Sequence, residues 1–147
     1  MKIVFSKNPG QTKDLAQKVS KRIKLPAVIA LWGDLGSGKT QFVKGLASGL
    51  KIRTRVTSPS FIVTKNYLFK KQGKICTLCH FDLYRIKHPK EIKNFGLEEI
   101  FHNPNSLIVV EWPKILRNKF PRRTYQFFFS YGKKKKERII KFPSSLA

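Results

Sequence analysis

Apolar positions recur along the chain in two periods, and each change of period marks an element. Lys2 to Phe5 reads as a short strand and Asn8-Pro9-Gly10 as a turn. Leu15, Ala16, Val19 and Ile23 then repeat at helical spacing, which predicts a helix from about Gln11 to Ile23, ended by Leu25-Pro26. Val28 to Trp32 is an unbroken apolar run of the strand type, and Phe42, Val43, Leu46, Ala47 and Leu50 give a second helix its apolar face. Ile62 to Phe69 and Ile75 to Tyr84 flank Lys70-Lys71-Gln72-Gly73-Lys74 and read as a β-hairpin. Short helical turns are expected at Pro89 to Asn94 and Gly96 to Phe101. A buried strand is expected at Ser106 to Glu111, and two more strands, Thr124 to Tyr131 and Glu137 to Phe142, around Gly132 and the four lysines that follow it.

The break between the second strand and the second helix carries the chemistry. Ala27 to Thr40, AVIALWGDLGSGKT, matches the phosphate-binding pattern G-x4-G-K-S/T at Gly33, Gly38, Lys39 and Thr40. Glycines let successive N–H groups turn inward around a phosphate, the following helix adds the positive end of its dipole, Lys39 reaches the β- and γ-phosphates, and the Thr40 hydroxyl suits Mg²⁺. The expected nucleotide contacts are therefore Gly33, Asp34, Leu35, Gly36, Ser37, Gly38, Lys39, Thr40 and Gln41. The expected fold is α/β and P-loop NTPase-like, with three layers: helices cover both faces of a mixed, partly parallel central sheet, and a hairpin extends one edge. Residues 1–147 are expected to form one domain.

Other stretches supply candidates for the rest of such a site. Ser106 to Glu111, SLIVVE, is an apolar strand that delivers a carboxylate to its carboxyl-terminal end, where ligands bind in α/β sheets; Glu111 can hold Mg²⁺ through water or polarise an attacking water. Trp112-Pro113 breaks that strand and leaves an indole at the rim. Thr57, in Thr57-Ser58-Pro59-Ser60, either reaches the phosphate or its Mg²⁺ or belongs to an ordinary turn. Alternation puts His80, Asp82 and Tyr84 on one strand face, and Asp82 is a candidate for Mg²⁺ or water positioning. Glu91, Glu98 and Glu99 read as caps or as partners of local lysines. Arg85 is the one candidate for an arginine finger in cis.

Charge changes the picture more than composition does. Thirty-one Lys plus Arg against eight Asp plus Glu give a formal charge of +23, which points to an acidic partner, nucleic acid first, or to a lysine-rich background spread along the whole chain. The lysine run at 133–136 is either a solvated hairpin tip or a phosphate-backbone contact. Cys76 and Cys79 stand three apart on a strand, hence on opposite faces, and no second pair stands at metal spacing; two reduced thiols are expected. No apolar run approaches the roughly 20 residues of a membrane span, and the amino terminus lacks a signal-peptide core, so a cytoplasmic location without membrane contact is expected.

Four landmarks stand in fixed order: GDLGSGKT, TSPSF, HFDLYR and VVEWP, with FGLEEIF between the last two. In this the chain resembles the TsaE family, the small bacterial P-loop ATPases of tRNA threonylcarbamoyladenosine synthesis, over nearly its whole length. The resemblance implies an ATP- and Mg²⁺-dependent ATP hydrolase that works with TsaD and TsaB, which place a threonylcarbamoyl group on the adenosine beside the anticodon of tRNA. It implies that Lys39 and Thr40 serve the phosphates and Mg²⁺, that Glu111 is the hydrolytic acid, that Thr57 and Asp82 lie near the metal, and that Trp112 is the aromatic beside the acid. Lys39, Asp82 and Glu111 are then the catalytic candidates, and Thr40, Asp82 and Glu111 the metal candidates. Weak activity alone and contact with tRNA, direct or indirect, complete the expectation. The rivals are a P-loop small-molecule kinase and an ATP-sensing nucleic-acid-binding module. No N/T-K-x-D string is present to select guanine.

Overall fold

A computed structural model describes residues 1–147. Its strands are Lys2–Ser6 (β1), Ala27–Trp32 (β2), Thr64–Lys71 (β3), Lys74–Asp82 (β4), Ser106–Glu111 (β5), Tyr125–Tyr131 (β6) and Arg138–Phe142 (β7), and its helices are Pro9–Arg22 (α1), Lys39–Gly49 (α2), Pro89–Ile92 (α3) and Leu97–Phe101 (α4). All seven strands join one sheet in the order β1-β7-β6-β2-β5-β4-β3. β6, β2, β5 and β4 run parallel in the middle, while β7 and β1 finish one edge and β3 the other in antiparallel pairing. Antiparallel strands thus extend both edges, where the sequence led us to expect a hairpin at one; sheet order rests on long-range pairing that local patterning does not encode.

The middle strands are apolar on both sides because both sides are covered. Ile29, Leu31, Leu107 and Val109 face α1 and α2 in the larger core, whereas Val28, Ile108 and Val110 face α3 and α4 in the smaller one. Phe42 of α2 is fully buried and its ring lies 4.8 Å from that of Phe127 and 5.5 Å from that of Phe129, which docks the helix on the sheet. Gly45 and Gly49 let α1 come close: a Cβ built on Gly45 would lie 2.5 Å from the Lys13 carbonyl oxygen.

Element ends follow local chemistry. The Asn8 side chain accepts from Gln11 N–H at 3.0 Å with Pro9 in the first helical turn, so α1 starts two residues earlier than its apolar spacing indicates. The β3–β4 turn is the two-residue kind, with Gln72 at φ 51° and Gly73 at φ 75°, and so keeps Lys71 and Lys74 within the strands. β4 stops at Asp82, whose Oδ1 accepts from Tyr84 N–H at 3.0 Å in an Asx turn. Cys76 and Cys79 fall in opposite cores, both free and buried, and burial pushes the Cys79 thiol up to about 11. No helix is long and apolar enough to cross a membrane.

Candidate functional site

The carboxyl-terminal ends of β2, β4 and β5 meet at a cavity of about 470 Å³. Its floor is the turn from β2 into α2. Gly33 (φ 148°), Gly36 (φ 74°) and Gly38 (φ 100°) all sit in the left-handed half of conformational space. At Gly33 a Cβ would come within 2.6 Å of the Phe129 carbonyl oxygen, so space and torsion both demand glycine there. Leu35, Gly36, Ser37, Gly38, Lys39, Thr40 and Gln41 line the cavity. Gly33 and Asp34 lie behind it, and their carbonyl oxygens accept from Lys39 Nζ at 2.7 and 2.9 Å.

Parallel register brings the acids to this floor. Asp82 pairs beside Glu111 and Glu111 beside Leu31, so one carboxylate ends each of β4 and β5 at the level where β2 gives way to the glycine turn. Thr40 Oγ1 donates to Glu111 at 3.0 Å (Oε1) and 3.2 Å (Oε2). The His80 ring nitrogen Nε2 lies 2.7 Å from the same Oε1. Asp82, Glu111, Lys39 and His80 are all buried, with 5%, 3%, 4% and 0% of their surfaces exposed. Burial lowers the Lys39 ammonium from its ordinary value, against the opposing pull of Glu111, then Asp82, then Asp34. Trp112 takes a left-handed backbone, φ 59°, rare for a bulky residue. That turn lays its indole over Lys39, with Nζ 4.0 Å from the ring centroid, and 4.8 Å from the Tyr84 ring.

Three features depart from the sequence reading. Thr57 does not line the cavity: its hydroxyl accepts from Lys65 Nζ, and Ser58 and Ser60 face the cavity instead, Ser58 Oγ donating to Asp82 Oδ2 at 3.3 Å. Arg85 also lies outside it, with its guanidinium over the Phe61 ring at 4.5 Å. The cationic rim comes from the β6–β7 turn, which reaches across the glycine loop: Arg138 Nη2 donates to the Gly36 carbonyl at 2.8 Å, the Tyr131 hydroxyl donates to that of Leu35, and Lys135 and Lys136 line the mouth. Glu91, Glu98 and Glu99 stand away from the cavity, in the first turns of α3 and α4 as capping positions, and none pairs with a lysine within 4.0 Å; His80–Glu111 is the one such pair in the chain. His80 was visible in the sequence as an odd residue to bury, but its partner emerges only from the β4–β5 register.

The donor set fits hard-cation and phosphate chemistry. No three His, Cys, Asp or Glu side chains converge to hold a metal by themselves. A divalent ion here would instead draw on the Thr40 hydroxyl, carboxylate oxygen and the phosphates, the way Mg²⁺ is held in P-loop sites. The Ser37 hydroxyl has no hydrogen-bond partner and is packed beneath the glycine loop, where a Cβ on Gly33 would come within 2.7 Å of it.

Comparison with known proteins finds relatives over most of the chain. The family model described as threonylcarbamoyl adenosine biosynthesis protein TsaE matches residues 6–140. The chain is 37% identical over 119 residues to the tRNA threonylcarbamoyladenosine biosynthesis protein TsaE of Bacillus subtilis, a match covering 81% of this chain and 71% of that protein. It is 32% identical over 119 residues to the TsaE of Treponema pallidum (81% and 84%) and 34% identical over 112 residues to that of Rickettsia felis, where the match spans 76% of this chain and 62% of the relative. Among solved structures, the crystal structure of Bacillus subtilis YdiB superposes with a TM-score of 0.75 at 33% identity, covering 96% of this chain and 83% of that one.

Proposed function

The chain belongs to the TsaE family of tRNA threonylcarbamoyladenosine biosynthesis, and from that premise we propose that it is a Mg²⁺-dependent ATPase supporting the TsaD and TsaB proteins of that pathway. The observation that supports this best is the meeting of Thr40, Glu111 and Asp82 at the mouth of the glycine loop, 3.0 Å separating the Thr40 hydroxyl from the Glu111 carboxylate. The loop amides and Lys39 bind the triphosphate, and Thr40 with Asp82 or Glu111 holds Mg²⁺. Bound Mg²⁺ supplies charge neutralisation on the phosphoryl oxygens. Lys39 exchanges the carbonyls of Gly33 and Asp34 for phosphate oxygens while Trp112 keeps water from its ammonium. Glu111 orients the attacking water, and His80 behind it fixes the carboxylate.

Turnover is weak alone in this reading. The only guanidinium at the cavity, that of Arg138, is engaged with the Gly36 carbonyl, which leaves room for a partner to complete the charge stabilisation. Steady-state ADP release, measured with and without TsaB and TsaD, tests it. Mg²⁺-dependent turnover that rises with the partners is expected; no turnover in either condition, alongside undetectable ATP binding, overturns the proposal.

A further inference from the structure

A second cavity of about 590 Å³ opens where the end of α2 and the loop after it meet α1, one helical turn beyond the nucleotide cavity: Gln41 of α2 and Thr12 of α1 line the first, Lys44 and Lys13 the second. Five of the residues around it are cations, Lys13, Lys44, Lys51, Arg53 and Arg55, and none is an acid. None of the five side chains makes a hydrogen bond or an ion pair within the protein; Lys44 is half-buried and the other four are exposed. A comparable cluster at the opposite end of the sheet differs in part: of its five cations Arg22 donates to the Leu146 carbonyl and Lys71 to that of Ile23 at 2.6 Å, while Lys21, Lys24 and Lys74 make no such bond.

Backbone geometry adds a second, independent sign. α2 ends in a Schellman turn, with Lys51 N–H donating to the Ser48 carbonyl at 3.0 Å and Ile52 N–H to that of Ala47 at 3.0 Å. That turn needs a left-handed residue, commonly glycine, yet Lys51 occupies it at φ 61°. A cation thus stands where the backbone favours glycine. The helix dipole at the end of α2 accounts for one cation there and not for five.

We propose that this cavity is an RNA-binding site that holds the phosphate backbone of tRNA beside the nucleotide cavity. The reading of the occupant rests on membership of a tRNA-modification family; the location rests on the residues. A protein partner fits less well. The apolar residues in the lining, Ala47, Ile52 and Val56, are buried or half-buried, so no apolar anchor is presented, and three of the five cations are lysines, which protein interfaces deplete. Phosphate diesters need only closely spaced cations and hydroxyls such as that of Ser48.

The test compares two triple variants of the full chain, Lys51→Gln/Arg53→Gln/Arg55→Gln at the site and Lys87→Gln/Lys90→Gln/Lys93→Gln, exposed around α3 on the other face of the sheet, for binding of an in-vitro transcribed tRNA across a salt series. The site variant is expected to bind about tenfold or more weakly at 0.15 M salt, with the log–log salt slope reduced by about two to three, one for each phosphate no longer neutralised. The remote variant, which loses the same formal charge, is expected to stay within about threefold of wild type. Equal losses in the two variants, or wild-type affinity in the site variant, overturn the proposal. So does a site variant that keeps tRNA affinity but no longer associates with TsaD and TsaB, which makes the face a protein interface. Mg²⁺-ATP binding and turnover measured on the same samples keep the two readings apart: normal turnover without site-dependent tRNA binding defeats only the RNA site, and tRNA binding without turnover defeats only the ATPase.

Discussion

The two cavities on α2 treat charge in opposite ways. On the floor of the nucleotide cavity Lys39, Asp82 and Glu111 are almost completely buried, and each makes hydrogen bonds at set distances, while exposed cations, Lys135 and Lys136, stand only at its mouth. In the basic cavity, four of five cations stand in water without a partner. Buried charges act through position, because the low dielectric around them makes each ångström matter. Exposed ones act through their summed field, which salt screens over about 8 Å at physiological strength. Single substitutions should therefore be severe and nearly salt-independent on the floor of the first cavity, mild and salt-dependent in the second.

The largest expected effect breaks the first cavity at one atom group. Glu111→Ala removes the carboxylate that faces Thr40 while leaving the glycine loop and Lys39 intact, and turnover should fall by about 100-fold or more. Mg²⁺-ATP binding should change by only a few-fold, and the ratio of mutant to wild-type turnover should be the same in low and high salt. Turnover close to wild type would mean that the His80–Glu111 pair is structural and that the water is oriented elsewhere. A loss that disappears in high salt would mean that Glu111 acts through the general field, like the exposed cations.

How far the sequence revealed each cavity follows from the same contrast. The glycine loop is one contiguous string, and the SLIVVE strand announces itself by being apolar on both faces before ending in an acid; both were legible. Which hydroxyl of the 57–60 segment faces the cavity was not, because it depends on loop hydrogen bonds such as Val63 N–H to the Pro59 carbonyl. His80 beside Glu111 needed the β4–β5 register. Arg138, Lys135 and Lys136 needed the sheet order that swings β6–β7 over the loop, a pairing of residues about a hundred positions apart. Three of the five cations of the basic cavity stand together in the sequence as a basic loop, Lys51 to Arg55; folding is what brings Lys13 and Lys44 to the same opening.

An intermediate effect tests whether the cavities are mechanically joined. Both rest on the packing of α1 against α2, where a Cβ at Gly45 would meet the Lys13 carbonyl oxygen at 2.5 Å and the Ala16 Cβ at 2.7 Å. Backbone cannot yield as a flexible side chain can, so Gly45→Ala should push the helices apart and cost about 2 kcal/mol, lowering Tm by about 6 °C. Mg²⁺-ATP and tRNA affinity should decline together as temperature approaches the new Tm. Loss of one with the other intact would show that the helix pair does not support both sites.

The smallest effect sharpens the contrast most, because it sets stability against binding at a single position. Lys51 holds a left-handed backbone that costs an L-residue about 1 kcal/mol and costs glycine nothing, though glycine gives part of that back through its freer unfolded chain and through the missing cation at the helix end. Lys51→Gly should therefore stabilise the fold by about 0.5 kcal/mol, a rise in Tm of about 1–2 °C, while weakening tRNA binding about two- to threefold and leaving Mg²⁺-ATP binding unchanged. A residue retained purely for folding cannot improve stability when it is removed. If Lys51→Gly instead lowers Tm with tRNA affinity unaltered, the lysine serves the helix end, and the five cations are a solvated surface after all.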